Sequence, residues 1–125
     1  MGLLRGLMGH ATEVDIEKIQ AEFEPVMAEG EEIAVAFKLI RDMLIFTNTR
    51  LIMVDKEGIT GKRQEFLSIP YRSIVRFSKQ SKGILDLDAE LRLWIFGQEQ
   101  PIVKKFSKHE NINGVYKTLS QALVA

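Results

Sequence analysis

A chain of 125 residues with no cysteine and 17 basic against 17 acidic residues has room for one domain with one core. It excludes a disulfide framework and a thiolate metal site. Its net charge of zero argues against strong non-specific binding to nucleic acid or to an anionic membrane.

A hydrophobic share of 46% beside 27% charged residues is that of a soluble globular chain. The absence of cysteine suits a reducing cytoplasm, which is the expected location. No apolar run approaches the roughly 20 residues of a membrane helix. The opening, MGLLRGLMGHA, holds one Arg and a short, glycine-interrupted apolar run, which falls short of a signal peptide. Gly6 stands where an N-terminal acylation signal wants Ser or Thr. We expect a loosely docked N-terminus, with residues 1–29 forming an N-terminal helical segment and residues 30–125 the main domain.

Thr12 followed by Asp15 suits a helix start. A side-chain oxygen there can cap free amides, and an acid favours the positive helix end. Ile16, Ile19 and Phe23 recur at spacings of three and four, which predicts an amphipathic helix of about three turns. Pro25 ends it, and Gly30 opens into the first strand.

The stretch Glu31–Asp55, EEIAVAFKLIRDMLIFTNTRLIMVD, organises the rest. Its apolar runs Ile33–Ile40, Met43–Phe46 and Leu51–Val54 are parted only by Arg41-Asp42 and a short Asn48-Thr49 stretch. Such short breaks force antiparallel neighbours, because a parallel crossover needs a dozen residues or more. The stretch is therefore a three-stranded meander. In its first strand Ile33, Val35, Phe37 and Leu39 should share one face, opposite Glu32, Ala34, Ala36 and Lys38. The next two strands are apolar at successive positions: Met43, Leu44, Ile45 and Phe46, then Leu51, Ile52, Met53 and Val54. A sheet with one wet face would alternate, so the N-terminal helix, another subunit or a ligand must cover the second face. These eight residues form the candidate subunit interface.

Lys56–Lys62, with Gly58 and Gly61, is a loop. Strands at Arg63–Ile69, Ile74–Lys79, Ala89–Phe96 and Ile102–Ser107 follow. They are separated by the Pro70-Tyr71-Arg72 corner, the Ser81-Lys82-Gly83 break and the Gly97–Gln100 hairpin loop, with Pro101 leading the last strand. Asn111 can cap a final helix carrying Ile112, Val115, Tyr116, Leu119 and Leu123 at helical spacing. Seven antiparallel strands and one amphipathic helix make a mainly β fold with α. The expected form is a small, partly closed barrel with the helix plugging an open end, since closure removes exposed strand edges.

That order is the layout of a pleckstrin-homology (PH) domain. The runs FKLIRDMLIFTNTRLIMVDKEGITGKRQEFLSIPYRSIVRFS (Phe37–Ser78) and DLDAELRLWIFG (Asp86–Gly97) closely resemble the bacterial PH domain family, and the resemblance covers about Gly30 to Val124. It implies a PH-like, seven-stranded antiparallel barrel capped by a C-terminal helix, in a cytoplasmic bacterial protein without a catalytic residue set. It also implies a tendency to form ring-like homo-oligomers. Eukaryotic PH domains that bind phosphoinositides carry a basic Lys/Arg motif in an extended loop between the first two strands. Here that connection is only Arg41-Asp42. A loop so short cannot wrap several donors around a multiply charged head group, which argues against inositol phosphate recognition.

Patterns of catalytic chemistry are missing from the sequence. There is no G-x-S-x-G elbow, and only His10 and His109 could act as base, each most simply a solvated histidine. Asp86, Asp88 and Glu90 alternate, but a calcium loop wants more oxygen ligands and a glycine turn. They are taken as solvated acids at a strand entrance, and neither metal nor cofactor is expected. Gly58 and Gly61 lack phosphate-loop spacing. Arg92, Trp94 and Phe96 share a strand face without a basic surplus nearby, so no nucleic-acid partner is expected. Trp94 and Phe96 are assigned to barrel or interface packing.

Net zero hides an asymmetry. Residues 1–35 are acidic apart from Arg5 and Lys18, whereas residues 56–82 carry Lys56, Lys62, Arg63, Arg72, Arg76, Lys79 and Lys82 against Glu57 and Glu65. Unlike surfaces can pair head to tail and close into a ring if the rotation per subunit allows. The expectation is a non-catalytic module whose partner is itself, in a ring-like homo-oligomer serving as a scaffold or protein-interaction domain that other proteins can join. The alternative is a peripheral membrane or small-anion binder using Lys62, Arg63, Arg72 and Arg76.

Overall fold

A computed structural model of the chain describes residues 16–39, 42–57, 63–81, 89–107 and 110–124. The expected helix cap at Thr12 and Asp15, His10, Arg41, the loop from Gly58 to Lys62, Asp86, Asp88 and His109 lie outside the described residues. In chain order come α1 (Ile16–Phe23), a 3₁₀ turn (Glu24–Val26), β1 (Ile33–Lys38), β2 (Asp42–Thr47), β3 (Arg50–Glu57) and β4 (Arg63–Pro70). A second 3₁₀ turn (Tyr71–Ser73) leads to β5 (Ile74–Ser81), β6 (Ala89–Ile95), β7 (Ile102–Phe106) and α2 (Ile112–Leu123).

The strands form two antiparallel sheets, β1-β2-β3-β4 and β5-β6-β7. This corrects the expected barrel: it is not closed, and two separate sheets face each other across one core. The break falls at the corner between β4 and β5. Pro70 cannot donate to a ladder, and the 3₁₀ turn after it carries the chain from one sheet to the other. Tyr71 pins that corner by donating its hydroxyl to the Thr47 carbonyl at 2.6 Å. α2 closes one end of the inner space, placing Val115 and Leu119 in the core. Its first turn is capped as the sequence suggests, with Asn111 Oδ1 accepting from the Gly114 amide at 2.8 Å.

Two apolar clusters account for the meander's double-sided hydrophobicity. The inner one joins Val35, Phe37, Leu44, Phe46, Leu51 and Met53 to Ile69, Leu91, Leu93 and Phe106. The outer one lies on the far face of the four-stranded sheet, where Ile19 and Phe23 of α1 pack on Ala36, Ile45, Ile52 and Val54. The helix of the same chain therefore covers the second face. The eight candidate interface residues are thereby placed inside the fold: Leu44, Phe46, Leu51 and Met53 face the inner core, and Ile45, Ile52 and Val54 lie buried under α1, with Met43 half-buried beside them. Met43 apart, a subunit could reach them only by displacing α1 or by parting the two sheets.

The strand phase needs one further correction. Ile33 belongs to the outer cluster rather than with Val35 and Phe37. The β1–β2 register shifts between Ile33 and Val35, and an extra residue in one strand reverses the facing of what precedes it.

Candidate interaction surface

Of the candidate anion-binding residues, Lys62 lies outside the described residues, and the others are not gathered. Arg63 begins β4 and Arg72 follows its end, and both are exposed. An eight-residue strand spans roughly 24 Å, too far for one small anion to bridge. Arg76, on the outward face of β5, lies over the Trp94 ring at 4.5 Å from its centroid.

The end of the fold nearest the first strand connection is acidic on its inner side. Asp42 stands opposite Asp55, and Asp55 opposite Glu65, in one row across β2, β3 and β4. Lys104 of β7 reaches across from the other sheet to Asp42 Oδ2 at 3.1 Å. A hydrogen bond with Asp42 raises the Asp55 carboxyl above its ordinary value, helped by burial and by the Asp42 charge, and Lys104 only partly offsets this.

Near the opposite end Glu31 is buried, with 7% of its surface exposed. It accepts from Thr47 Oγ1 at 2.6 Å, Arg50 Nε at 2.8 Å, Thr49 Oγ1 and Arg50 Nη2 at 2.9 Å, and the Ala28 amide at 2.9 Å. Burial alone would raise its pKa. The hydrogen bonds from Arg50, Thr47, Ala28 and Thr49 outweigh it and hold the carboxyl at about 2. Arg50 in turn donates to Ser68 Oγ and the Val26 carbonyl, each at 2.7 Å. The cluster ties the entry to β1, the β2–β3 turn, β4 and the first 3₁₀ turn together. With its lone pairs so occupied, Glu31 is a structural anchor and not a base. The sequence concealed it, since most of its partners lie 16 to 19 residues away. The nearby Tyr71 hydroxyl is pushed up, chiefly by burial and then by the Glu31 charge.

Among the described residues, one surface left uncovered is the outward face of the β5–β6–β7 sheet; Phe66 and Leu67 of β4 are exposed as well. Alternation from the buried Leu91 and Leu93 turns Glu90, Arg92 and Trp94 outward. Arg76 pairs with Trp94, Val103 with Arg92, and Lys105 with Glu90. Arg92 Nη2 also contacts Glu90 Oε1 at 2.9 Å. Phe96 continues this line at 78% exposed, with Val103 at 43% and Val75, in the register shift of β5, at 54%. Large apolar side chains this open are costly to leave in water, which makes this face a candidate interaction surface. Of the two settings assigned to Trp94 and Phe96, the structure shows the outer face and not the core.

Two facing antiparallel sheets with a helix across one end define the PH-like fold, a class of domain that is generally non-catalytic. The chain belongs to the bacterial PH domain family, whose model matches residues 2–123. A pleckstrin homology domain from Shewanella amazonensis SB2B is similar in structure, with 46% identity and a TM-score of 0.84, covering 98% of this chain and 99% of that one. A DUF1696 family protein with a pleckstrin-homology domain from Shewanella loihica PV-4 shares 42% identity at a TM-score of 0.77, over 88% of this chain and 95% of its own. In Bacillus subtilis (strain 168), uncharacterized protein YjqA is 50% identical over 121 residues, 96% of this chain and 97% of YjqA. Among the described residues no helix is long and apolar enough to cross a membrane.

Proposed function

We propose that this domain is a non-catalytic cytoplasmic module that self-assembles into a ring-like homo-oligomer and acts as a scaffold or protein-interaction domain. The observation that supports this reading is the bare β5–β6–β7 face, where Phe96, Val75, Val103 and Trp94 lie among Arg76, Arg92 and Lys105. A second copy would remove that apolar surface from water, at roughly 25 cal/mol for each Å² buried. Light scattering after size exclusion, at tens of micromolar chain, tests it. The expected result is a mass several times that of one chain, reduced by Phe96→Glu. A strict monomer overturns the proposal.

One observation favours a second reading, a peripheral membrane or small-anion binder. Arg76, Trp94 and Phe96 combine a cation with aromatic rings, as do surfaces that lie on anionic bilayers. Co-sedimentation with anionic vesicles at physiological salt, lost on Arg76→Glu, would support it. The absence of pelleting removes it.

A further inference from the structure

Each open sheet has two edge strands, and an edge strand turns every second N–H and C=O away from its neighbour. The edges are β1 and β4 in one sheet and β5 and β7 in the other. β1 is buried along most of its length. β7 has five residues and is tied to the other sheet through Lys104. β4 is exposed, but Arg63 and Glu65 give it no preference for charge. β5 differs. It has eight residues and is exposed at Val75, at Arg76 and from Lys79 to Ser81. Among the described residues no backbone hydrogen bond occupies its edge away from β6.

α2 packs against this strand. The Phe77 and Tyr116 rings meet at 4.9 Å between centroids. Lys79 donates its ammonium to Asn113 Oδ1, and its Nζ lies 5.9 Å from the Tyr116 ring centroid. Lys117 follows Asn113 by one helical turn, which puts it on the same stripe of α2, and it is exposed. The charges here are of one sign. From Tyr71 to Ser81 the chain holds Arg72, Arg76 and Lys79 and no acid, and α2 holds Lys117 and no acid. Across the sheet Glu90 of β6 stands opposite Gln80 and is paired with Arg92.

We infer that the β5 edge accepts an extended acidic segment of a partner protein, added to the sheet as a fourth strand beside Arg76 and Lys79. The inference rests on the protein-interaction part of the reading above and not on self-assembly. The main-chain groups of β5 that turn away from β6 supply the pairing, as in other cases of strand addition. Side chains of the added strand alternate between two settings. One set lies beside Phe77 and Lys79, toward α2, and the other beside Arg76 and Ser78 on the outward face. Arg72, Arg76, Lys79 and Lys117 then select acidic residues and steer the encounter. The same cations oppose pairing of this edge with the β5 of a second copy, because like charges would be brought together.

The test uses a fluorescein-labelled peptide of alternating Glu and Val, matched in length to β5, with fluorescence anisotropy read on the full chain at physiological salt. Saturable binding is expected. A peptide of alternating Lys and Val should not bind. Nor should the Glu-Val peptide N-methylated at every amide, which keeps its charges and loses its donors. Lys79→Glu with Lys117→Glu should weaken binding about tenfold, with circular dichroism checking the fold. Should that variant not fold, Lys79→Gln with Lys117→Gln takes its place, with a loss of about threefold expected. Binding that survives N-methylation rests on charge alone and overturns strand addition. No binding of the Glu-Val peptide, equal binding of the Lys-Val peptide, or a folded variant that binds like the wild type overturns the inference as well. Light scattering on the same samples keeps the two readings apart. A monomeric wild type that binds the peptide overturns self-assembly and leaves this inference standing, and an assembled one that does not bind it does the reverse.

Discussion

Donors from Ala28, Thr47, Thr49 and Arg50 converge on the Glu31 carboxylate, and this gives the fold an acid sensitivity. The folded value of about 2 lies below the ordinary value of 4.5. The stabilisation is thus complete above pH 4.5 and is lost as pH falls toward 2. A shift of that size corresponds to about 3 kcal/mol. Glu31→Gln should lower the unfolding free energy at pH 7 by about 3 kcal/mol in a urea titration and flatten the acid limb of the stability curve. Asp55 runs the other way. Its folded value is raised by Asp42, so its contribution is present in acid and is lost as pH rises through that raised value. Asp55→Asn should therefore raise the melting temperature at pH 7 and lose that advantage below the ordinary carboxylate range. Equal gains at pH 7 and in acid would show that charge repulsion is not the cause.

At the scale of elements, α1 decides what the meander can do. Phe23 is 1% exposed and meets the Phe66 ring edge-on at 5.2 Å between centroids. Phe23→Ala should cost about 3 kcal/mol and increase binding of a hydrophobic dye, as the cover over Ile45, Ile52 and Val54 loosens. Unchanged dye binding would mean that α1 stays docked without its aromatic anchor. The strands themselves were legible because turn residues bracket every apolar run, and the amphipathic spacing of Ile16, Ile19 and Phe23 marked the helix. The reversal at Ile33 was not legible. A bulge arises from how two strands pair, and the run Ile33–Ile40 contains no glycine or proline to announce it. Nor was the open barrel, because closure depends on the angle at which the Pro70–Ser73 corner leaves the sheet.

For the whole molecule, the informative asymmetry is that one sheet has its outer face covered and the other does not. Alternation alone put Arg92, Trp94 and Phe96 on one face. That this face is bare, while β2 and β3 are covered on both sides, depends on where α1 docks, and a double-sided apolar strand looks the same under a helix as at a subunit contact. Phe96→Glu separates fold from assembly. A ring 78% exposed contributes little to the folded chain, so the unfolding free energy should change by no more than about 0.5 kcal/mol while the assembled mass drops. A large loss of stability would mean that Phe96 packs within the chain.

The unclosed barrel also has a kinetic consequence. Among the described residues no backbone hydrogen bond joins the two sheets. They are linked by the Pro70–Ile74 corner, by side-chain packing and by the Lys104–Asp42 pair. Amide protons in proteins exchange in groups that open together, and here the group boundaries should follow the sheets. In mild denaturant, hydrogen exchange should divide into two sets. The amides of β5, β6 and β7 should open at lower free energy than those of β2 and β3, whose ladders are shielded on both faces. A single shared isotherm would show that the common core, and not the ladders, sets the unit of opening.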